Sequence, residues 1–318
     1  MTWPSPSGTA ITEGPLSAEL ASQVQELAAA AARADGVAPL SEDVLLQVRH
    51  GSGAQARDLS LTSGDGVLAG YAHVDAPDAE AQEGDASGEL VVHPDYRRRG
   101  YGAALSSALV AGARGTGVRL WAHGELPGAV GLAKTAGFTR FRALWQMRMP
   151  LAAAPADTPA APPGVTIRTF RPGSDEEAWL AVNHRAFAHH PEQGGWTISD
   201  LRLREAEPWF DPAGFFLAER DGRLAGFHWT KVHSDGGEGG TPIGEVYVVG
   251  VDPGQQGGGL GRTLTLVGLA HLRSLGLADV MLYVDEDNIA AVRMYTALGF
   301  SHWSTDAMYR HPSLSGHQ

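Results

Sequence analysis

Two glycine-rich loops carry the residue types in this chain that are best suited to hold a ligand. The spacing (Q/R)-x-x-G-x-G occurs at residues 97–102 and again at 256–261, each time between an apolar run and a run with helical spacing. Glycine lets the backbone approach a ligand closely, and free N–H groups at the start of a helix favour an anion such as a pyrophosphate. The loops therefore predict anion sites, with an ordinary glycine turn as the alternative.

The sequence of the loops disfavours two common kinds of nucleotide site. Neither loop fits G-x-x-x-x-G-K-(S/T), which cradles the phosphates of a hydrolysed nucleotide, and neither fits the G-x-G-x-x-G of dinucleotide-binding folds. Nucleotide hydrolysis and a Rossmann fold are therefore not expected.

An internal repeat surrounds the loops. Residues 93–138 and 252–300 follow the same plan, and the copies end in Ala-Gly-Phe and Leu-Gly-Phe. An apolar run that suits a buried strand precedes each copy, at 88–92 and at 244–251. The repeat predicts two related domains, each built on a strand, loop, helix, strand, helix unit.

The spacing of apolar residues places the elements of the second copy. Leucines and valines three and four residues apart predict a helix over 260–275 that Gly276 ends, and a second helix over 288–298 is followed by Gly299. Between them, residues 281–284 have the sequence MLYV and predict a strand.

The length of 318 residues exceeds what one hydrophobic core usually organises. We expect two α/β domains, 1–152 and 165–318, joined by a Pro/Ala-rich linker at 153–164. Further helices are expected upstream of each copy, at 17–33 and 175–188.

Composition limits the partners of the chain. It has no cysteine, which removes disulfides and thiolate metal sites, and its histidines do not form H-E-x-x-H, so no metal is expected. The formal net charge of −12 opposes nucleic-acid binding and favours a cationic substrate such as an amine. No apolar run approaches the roughly 18 residues of a membrane span, and the start does not resemble a secretory signal. We expect a cytoplasmic monomer that binds neither membrane nor nucleic acid.

Both copies together resemble a known enzyme family. The first contains V-x-P-x-x-R-x-x-G-x-G from Val92, and the second contains V-x-P-x-x-Q-x-x-G-x-G from Val251 and then N-x-x-A-x-x-x-Y-x-x-x-G-F from Asn288. This combination resembles the GCN5-related N-acetyltransferase (GNAT) family. The resemblance implies an α/β fold of two tandem GNAT domains, each a mixed sheet flanked by helices that splays open at a bulge, with acetyl-CoA as co-substrate and no metal.

The resemblance also implies which residues hold acetyl-CoA, namely the strand ends, the loops and the start of the last helix. They are Leu90, Val91, Val92, Arg98, Arg99, Gly100, Tyr101 and Gly102 in the first copy, and Val249, Gly250, Val251, Gln256, Gly257, Gly258, Gly259, Leu260, Gly261, Arg262, Asn288, Ala291 and Arg293 in the second. Gly250 is the expected bulge residue. For arginines 97–99, a solvated charge cluster is the alternative.

Acetyl transfer to an amine needs a group that takes the amine proton and a group that protonates the leaving thiolate. The resemblance assigns these roles to Glu245 and Tyr295 of the second domain. Aligning the copies puts Ala86 opposite Glu245 and Ala133 opposite Tyr295, so the first domain is expected to be catalytically silent. The alternatives are a surface glutamate and a core tyrosine.

The segments 186–197, 207–218, 226–233 and 244–253 resemble one GNAT subfamily. That subfamily acetylates the cysteinyl amine of cysteinyl-glucosaminyl-inositol, the last step of mycothiol biosynthesis. The resemblance implies that five residues bind this acceptor: Asp35, Glu192, Lys231, Glu245 and Tyr283. A capping role for the aspartate and a surface position for the lysine are the alternatives.

Two other functions share part of this pattern. A tandem acetyltransferase for another small amine, such as an aminoglycoside or a polyamine, would keep the coenzyme motifs and fail on the cysteinyl sugar. A non-catalytic acetyl-CoA-binding protein would bind the coenzyme without turnover and without dependence on Glu245 or Tyr295.

Overall fold

A computed structural model describes residues 8–53, 56–75, 85–113, 116–155, 160–188, 190, 193–234, 236 and 240–312. The chain forms two compact units, Met1–Leu144 with Ser304–Gln318, and Trp145–Trp303. The linker predicted at 153–164, and the domain limits drawn from it, stay a prediction.

The described residues form eight α-helices and twelve strands. The helices are α1 (Ala18–Asp35), α2 (Glu42–His50), α3 (Tyr101–Gly112), α4 (Pro127–Thr135), α5 (Glu176–Ala186), α6 (Ile198–Glu205), α7 (Leu260–Ser274) and α8 (Ile289–Leu298). The strands are β1 (Ala10–Glu13), β2 (Arg57–Thr62), β3 (Leu68–Asp75), β4 (Ala86–Val92), β5 (Val118–Ala122), β6 (Thr139–Pro150), β7 (Val165–Thr169), β8 (Phe215–Arg220), β9 (Arg223–His233), β10 (Ile243–Val251), β11 (Asp279–Asp285) and β12 (Ser301–His311). None of these helices is long and apolar enough to cross a bilayer.

The first unit is a mixed sheet with helices on both faces. Strands β1 to β4 pair antiparallel in chain order, and β5 pairs parallel with β4. The C-terminal strand also belongs to this unit, because Ala307 to His311 of β12 pair antiparallel with β5. Val92 of β4 packs in an apolar cluster with α3, whereas its neighbour Val91 packs with α1 and α2. Alternate residues of β4 thus bury opposite faces of the sheet.

The second unit repeats this plan. Strands β7 to β10 pair antiparallel in chain order, β11 pairs parallel with β10, and β6 lies next to β11. Helix α7 packs with Val246 of β10 on one face, while α5 and α6 cover an aromatic cluster around Trp179 and Trp229. Trp209 and Phe210 are partly buried and pack against Trp229, with ring centroids 5.7 Å away in each case.

Each sheet opens between its two parallel strands. The pairing of β4 with β5 ends at Glu89 and Trp121, and the pairing of β10 with β11 ends at Val246 and Leu282. Beyond these points, β4 and β10 keep antiparallel partners in β3 and β9 alone. The predicted splayed, mixed α/β sheets are therefore confirmed.

The bulge is not where the sequence analysis expected it. Gly250 pairs in register with Phe227 of β9, whereas the register shifts between Val246 and Val248, so Tyr247 is the extra residue. The first unit opens although the pairing of β3 with β4 has no such shift. Gly250 has a different role, because a Cβ there would lie 2.7 Å from the Phe227 ring.

The helices follow the predicted signals closely. The helix predicted at 260–275 is α7, and that predicted at 288–298 is α8, which Asn288 caps and Gly299 ends with φ of 106°. The upstream helices predicted at 17–33 and 175–188 are α1 and α5. Apolar spacing and the residues that begin or end a helix were sufficient to locate α7 and α8, whereas α1 and α5 were expected only from the room before each copy.

Gly268, in the middle of α7, is explained by a histidine of β9. A Cβ at this position would lie 2.0 Å from the His228 ring, so only glycine lets the imidazole pack against the helix. The Nδ1 atom of His228 lies 2.7 Å from the Leu264 carbonyl oxygen, to which Nδ1–H donates. Burial lowers the pKa of His228 to about 4, so the ring is neutral in the folded protein.

This buried histidine should make the protein less stable in mild acid. The unfolded chain binds a proton near pH 6.5, while the folded chain resists protonation until about pH 4, so stability falls as the pH drops between these values. From pH 7.5 to pH 5 we expect His228 alone to lower the free energy of unfolding by about 2 kcal/mol. Urea unfolding of wild type and His228→Asn, which keeps an N–H donor, measures the difference. Equal pH dependence in both proteins would contradict the assignment.

Candidate active site

Glu245 lies on β10, immediately before the last residue that pairs with β11. Its side chain is only 9% exposed, and its Oε2 lies 2.6 Å from Nε2 of His233. A carboxylate removed from water needs such a polar partner, since an unpaired one would be strongly destabilising. The predicted base is therefore a buried, hydrogen-bonded group rather than a solvated surface glutamate.

Lys231 lies directly opposite Glu245, on β9. Its side chain is buried, with Nζ 4.2 Å from the centroid of the Trp209 ring and 5.1 Å from that of Tyr247. These rings attract the ammonium through their negative faces. The hydroxyl of Tyr247, the bulged residue, accepts a hydrogen bond from Nε of Arg204 at 2.9 Å. The alternative of a surface lysine is thus wrong.

Tyr283 shares the face of the sheet that carries Glu245. Met281 of β11 is the partner of Glu245 in the register, and Tyr283 follows two residues later, so its side chain is on the same side. Tyr283 is exposed, and its hydroxyl accepts a hydrogen bond from Nε2 of Gln146 on β6, at 2.6 Å. Three predicted acceptor residues therefore lie on one face of adjacent strands β9, β10 and β11.

Tyr295 lies on α8, in the core of the second unit. Its ring packs edge-on against Phe300, with centroids 5.7 Å apart, in the same apolar cluster as Val249 of the unpaired end of β10. Burial raises the pKa of Tyr295 to about 12. The phenol therefore keeps its proton at neutral pH, as a general acid must.

The second glycine loop leaves the start of α7 open. Gly257, Gly258 and Gly259 have φ of 90°, 63° and 82°, a left-handed region that glycine adopts without steric cost. Gly259 occupies the N-cap position, and no side chain caps the first turn. Arg262 is exposed in that turn. Uncapped N–H groups at a helix start favour an anion, as the loop pattern predicted.

The end of β10 leads into this loop as an unpaired strand edge. Val249, Gly250 and Val251 have partners in β9 and none in β11. Their backbone groups on the open side lack a ladder partner, and such groups require hydrogen bonds from elsewhere. An amide-containing chain that enters the opening can supply them.

The bulge corrects the alignment of the two copies. Because Tyr247 adds one residue to β10, Ser87 rather than Ala86 occupies the position of Glu245: Ser87 pairs with Arg119 of β5 as Glu245 pairs with β11. A serine is no substitute for a carboxylate base. The expectation of a silent first domain stays a prediction, with Ser87 in place of Ala86.

The first unit contains a cavity of about 740 Å³ along its own glycine loop. Ala133, which aligns with Tyr295, also lines it. Seven of the eight residues predicted to hold coenzyme in this unit line the cavity: Leu90, Val91, Val92, Arg98, Gly100, Tyr101 and Gly102. The eighth, Arg99, instead donates from Nη2 to the Asp95 carbonyl at 2.8 Å. The volume is typical of a small-molecule site.

Two further residues, Asp35 and Glu192, were predicted to bind the acceptor, and the structure describes one of them. Asp35 ends α1 in the first unit, where its oxygens accept two hydrogen bonds from Arg97 at 2.6 and 2.7 Å. This bidentate pair lies in the lining of the cavity. Glu192 lies outside the described residues. Acceptor binding by either one stays a prediction.

His233 contacts the predicted base, and the sequence analysis missed it, as it missed Tyr247 beside Lys231 and Gln146 beside Tyr283. His233 ends β9 and contacts Glu245, yet an isolated strand-end histidine has no distinctive spacing. The available signal was its position two residues after Lys231, which puts both side chains on one face of the strand. The contact itself depends on the register of β9 against β10.

Comparison with known proteins agrees with this architecture. The sequence profile of the acetyltransferase (GNAT) family matches residues 42–138 and 179–300, which include both glycine loops and both sheet openings. The chain therefore belongs to the GNAT family of acetyltransferases.

Curated relatives extend the likeness over nearly the whole chain. A relative from Thermobispora bispora is 60% identical over 287 residues, covering 90% of this chain and 94% of the relative. A relative from Thermomonospora curvata is 61% identical over 292 residues, covering 92% of this chain and 93% of the relative. Each of these relatives is a mycothiol acetyltransferase by name.

Solved structures share the tandem fold at lower identity. A tandem GNAT protein from the clavulanic acid biosynthesis pathway superposes with a TM-score of 0.69 at 23% identity, covering 95% of this chain and 98% of that one. A GCN5-related N-acetyltransferase from Sphaerobacter thermophilus gives a TM-score of 0.66 at 24% identity, covering 95% of each chain. At these identities the comparison supports the fold.

Asn288 should stabilise the helix that carries Tyr295. Its Oδ1 accepts the N–H of Ala291 at 3.1 Å, which satisfies one of the free donors at the start of α8. We expect Asn288→Ala to lower the free energy of unfolding by about 1 kcal/mol, because this cap is lost. Asn288→Asp keeps the acceptor and is the matched control. Urea unfolding at pH 7.5 measures both, and equal losses in the two variants would show that the cap is not the cause.

Proposed function

We propose that this chain transfers the acetyl group of acetyl-CoA to the cysteinyl amine of cysteinyl-glucosaminyl-inositol, which completes mycothiol. The observation that carries the proposal is the likeness of 60% identity to mycothiol acetyltransferases over about nine-tenths of both chains. Such likeness favours this acceptor over an aminoglycoside or a polyamine.

The face of the second sheet supports an amine acceptor with a polar sugar. Glu245 offers a carboxylate for the amine, and Lys231 and Tyr283 offer hydrogen bonds to hydroxyl groups on either side of it. Since Oε2 of Glu245 is engaged by His233, the amine would meet Oε1. A buried carboxylate and flanking donors suit a cationic, hydroxyl-rich molecule better than an apolar one.

The coenzyme would enter through the opening between β10 and β11. The unpaired groups of Val249 to Val251 would hydrogen-bond the pantetheine amides, and the uncapped start of α7 with Arg262 would hold the pyrophosphate. These contacts would bring the thioester to the point where the sheet opens, one residue beyond Glu245.

The reaction then needs three proton transfers. The Glu245 carboxylate takes a proton from the ammonium, and the neutral amine attacks the thioester carbonyl carbon. Backbone N–H groups at the open edge of β10 stabilise the oxyanion of the tetrahedral intermediate. When the carbon–sulfur bond breaks, the phenol of Tyr295, which is protonated at neutral pH, donates its proton to the thiolate. The resulting phenolate takes the second proton from the acetylated nitrogen, which leaves a neutral amide and free coenzyme A, and Glu245 releases its proton to solvent.

Steady-state release of free coenzyme A tests this function. With acetyl-CoA and cysteinyl-glucosaminyl-inositol, wild type should turn over, and Glu245→Gln or Tyr295→Phe should lower kcat by about a hundredfold or more. Both substitutions preserve shape, so coenzyme binding measured by calorimetry should remain. An aminoglycoside and a polyamine serve as control acceptors. If wild type acetylates a control amine and not the cysteinyl sugar, the acceptor assignment is wrong.

We further propose that the cavity of the first unit holds a second acetyl-CoA without turning it over. Its lining matches the residues that the family resemblance assigns to the coenzyme, and Ser87 and Ala133 replace the two groups that transfer protons. An occupied but inactive site would stabilise the unit through binding alone.

Binding stoichiometry tests the second site. We expect calorimetry with coenzyme A to give two sites per wild-type chain. Arg98→Glu should abolish the first-unit site, because it reverses the charge at the loop, and leave kcat unchanged. Arg262→Glu is the matched variant in the second unit and should remove the other site together with turnover. One site in wild type, still present in Arg98→Glu, would refute coenzyme binding by the first unit.

A further inference from the structure

His233 transfers no proton in the reaction outlined above, and its contact with Glu245 follows from the register of the strands. Ile243 of β10 is the partner of His233, and Glu245 is the partner of Lys231. His233 and Glu245 are therefore diagonal neighbours on the same face, close enough for side chains of this length to meet. Their atoms Nε2 and Oε2 are 2.6 Å apart.

The two side chains differ in their access to water. Glu245 is 9% exposed and His233 is 27% exposed, so the histidine lies toward the solvent edge and the carboxylate is inside. A buried carboxylate attached through three rotatable bonds has several staggered orientations, and a short hydrogen bond to one oxygen selects among them. The hydrogen bond from His233 to Oε2 therefore also sets the direction in which Oε1 of Glu245 points.

We propose that His233 is a positioning residue for Glu245: its Nε2–H donates to Oε2 and thereby holds Oε1 toward the acceptor amine. The inference rests on the proposed role of Glu245 as the group that takes the amine proton. The inference adds His233 as a residue that affects the reaction only through its contact with Glu245. Orientation of a catalytic group within a fraction of an ångström commonly decides the rate of proton transfer.

A merely structural role would have a different consequence. If the contact only joined the ends of β9 and β10, its loss would lower stability and leave the turnover of the folded enzyme intact. A positioning role predicts a loss of kcat in protein that remains folded and still binds coenzyme, and it predicts rescue by a side chain that restores the donor.

Three variants separate these roles. His233→Leu removes the donor and should lower kcat about ten- to hundredfold, with the KM for acetyl-CoA unchanged. His233→Gln places an amide N–H near the position of Nε2 and should recover most of that loss. His228→Asn changes a histidine of the same strand on the opposite face, against α7, and should leave kcat at pH 7.5 unchanged. Thermal unfolding of each variant reports its folding.

A double-mutant cycle with Glu245→Gln completes the test. If His233 acts through the carboxylate, His233→Leu should change kcat by less than about twofold in the Glu245→Gln background. Normal kcat in His233→Leu, or a full additional loss in the double variant, would overturn the proposal. Absence of turnover in wild type would instead mean that the proposed function is wrong, so the two failures are distinguishable.

Discussion

The point at which the parallel strands β10 and β11 stop pairing determines where the second unit presents its buried carboxylate and its unpaired backbone edge. Up to Val246, β10 lies between β9 and β11, and Glu245 is held in a complete sheet. Beyond Val246, the same strand has a partner on one side only, and its unpaired edge leads directly into the glycine loop. A buried carboxylate, an open backbone edge and an uncapped helix start therefore succeed one another along a single segment of chain.

Comparison of the two units separates the opening from the bulge. The first sheet also opens, after Glu89, although β3 and β4 pair without a shift in register. The bulge is thus not needed for the opening. In the second unit it inserts Tyr247, whose ring stands 5.1 Å from the ammonium of Lys231. The extra residue changes which side chains surround Lys231 and Glu245, whereas the opening is common to both units.

Local signals in the sequence were sufficient for α7, α8, the strands β4, β10 and β11 and the glycine loops, because caps and apolar periodicity act over a few residues. Helices α2 and α6 and most outer strands of the two sheets were not predicted individually. Contacts that depend on register were not predictable in the same way. Placing the bulge at Gly250 was wrong, since several residues of that strand could have been the extra one. His228 and His233 illustrate the same difficulty: they lie five residues apart on β9, and only packing shows that one is buried against α7 while the other meets Glu245.

Both glycine loops have a left-handed backbone at one equivalent position, and each loop has a different residue type there. Arg98 and Gly257 occupy equivalent positions, and both have a positive φ, of 62° and 90°. Arginine in this conformation costs about 1 kcal/mol or more, yet it brings a cation to the cavity of the first unit. Glycine avoids that strain and gives up the charge. At this position the second loop therefore offers an anion no cation, and what it presents instead is the backbone N–H groups of three consecutive glycines and of an uncapped helix start.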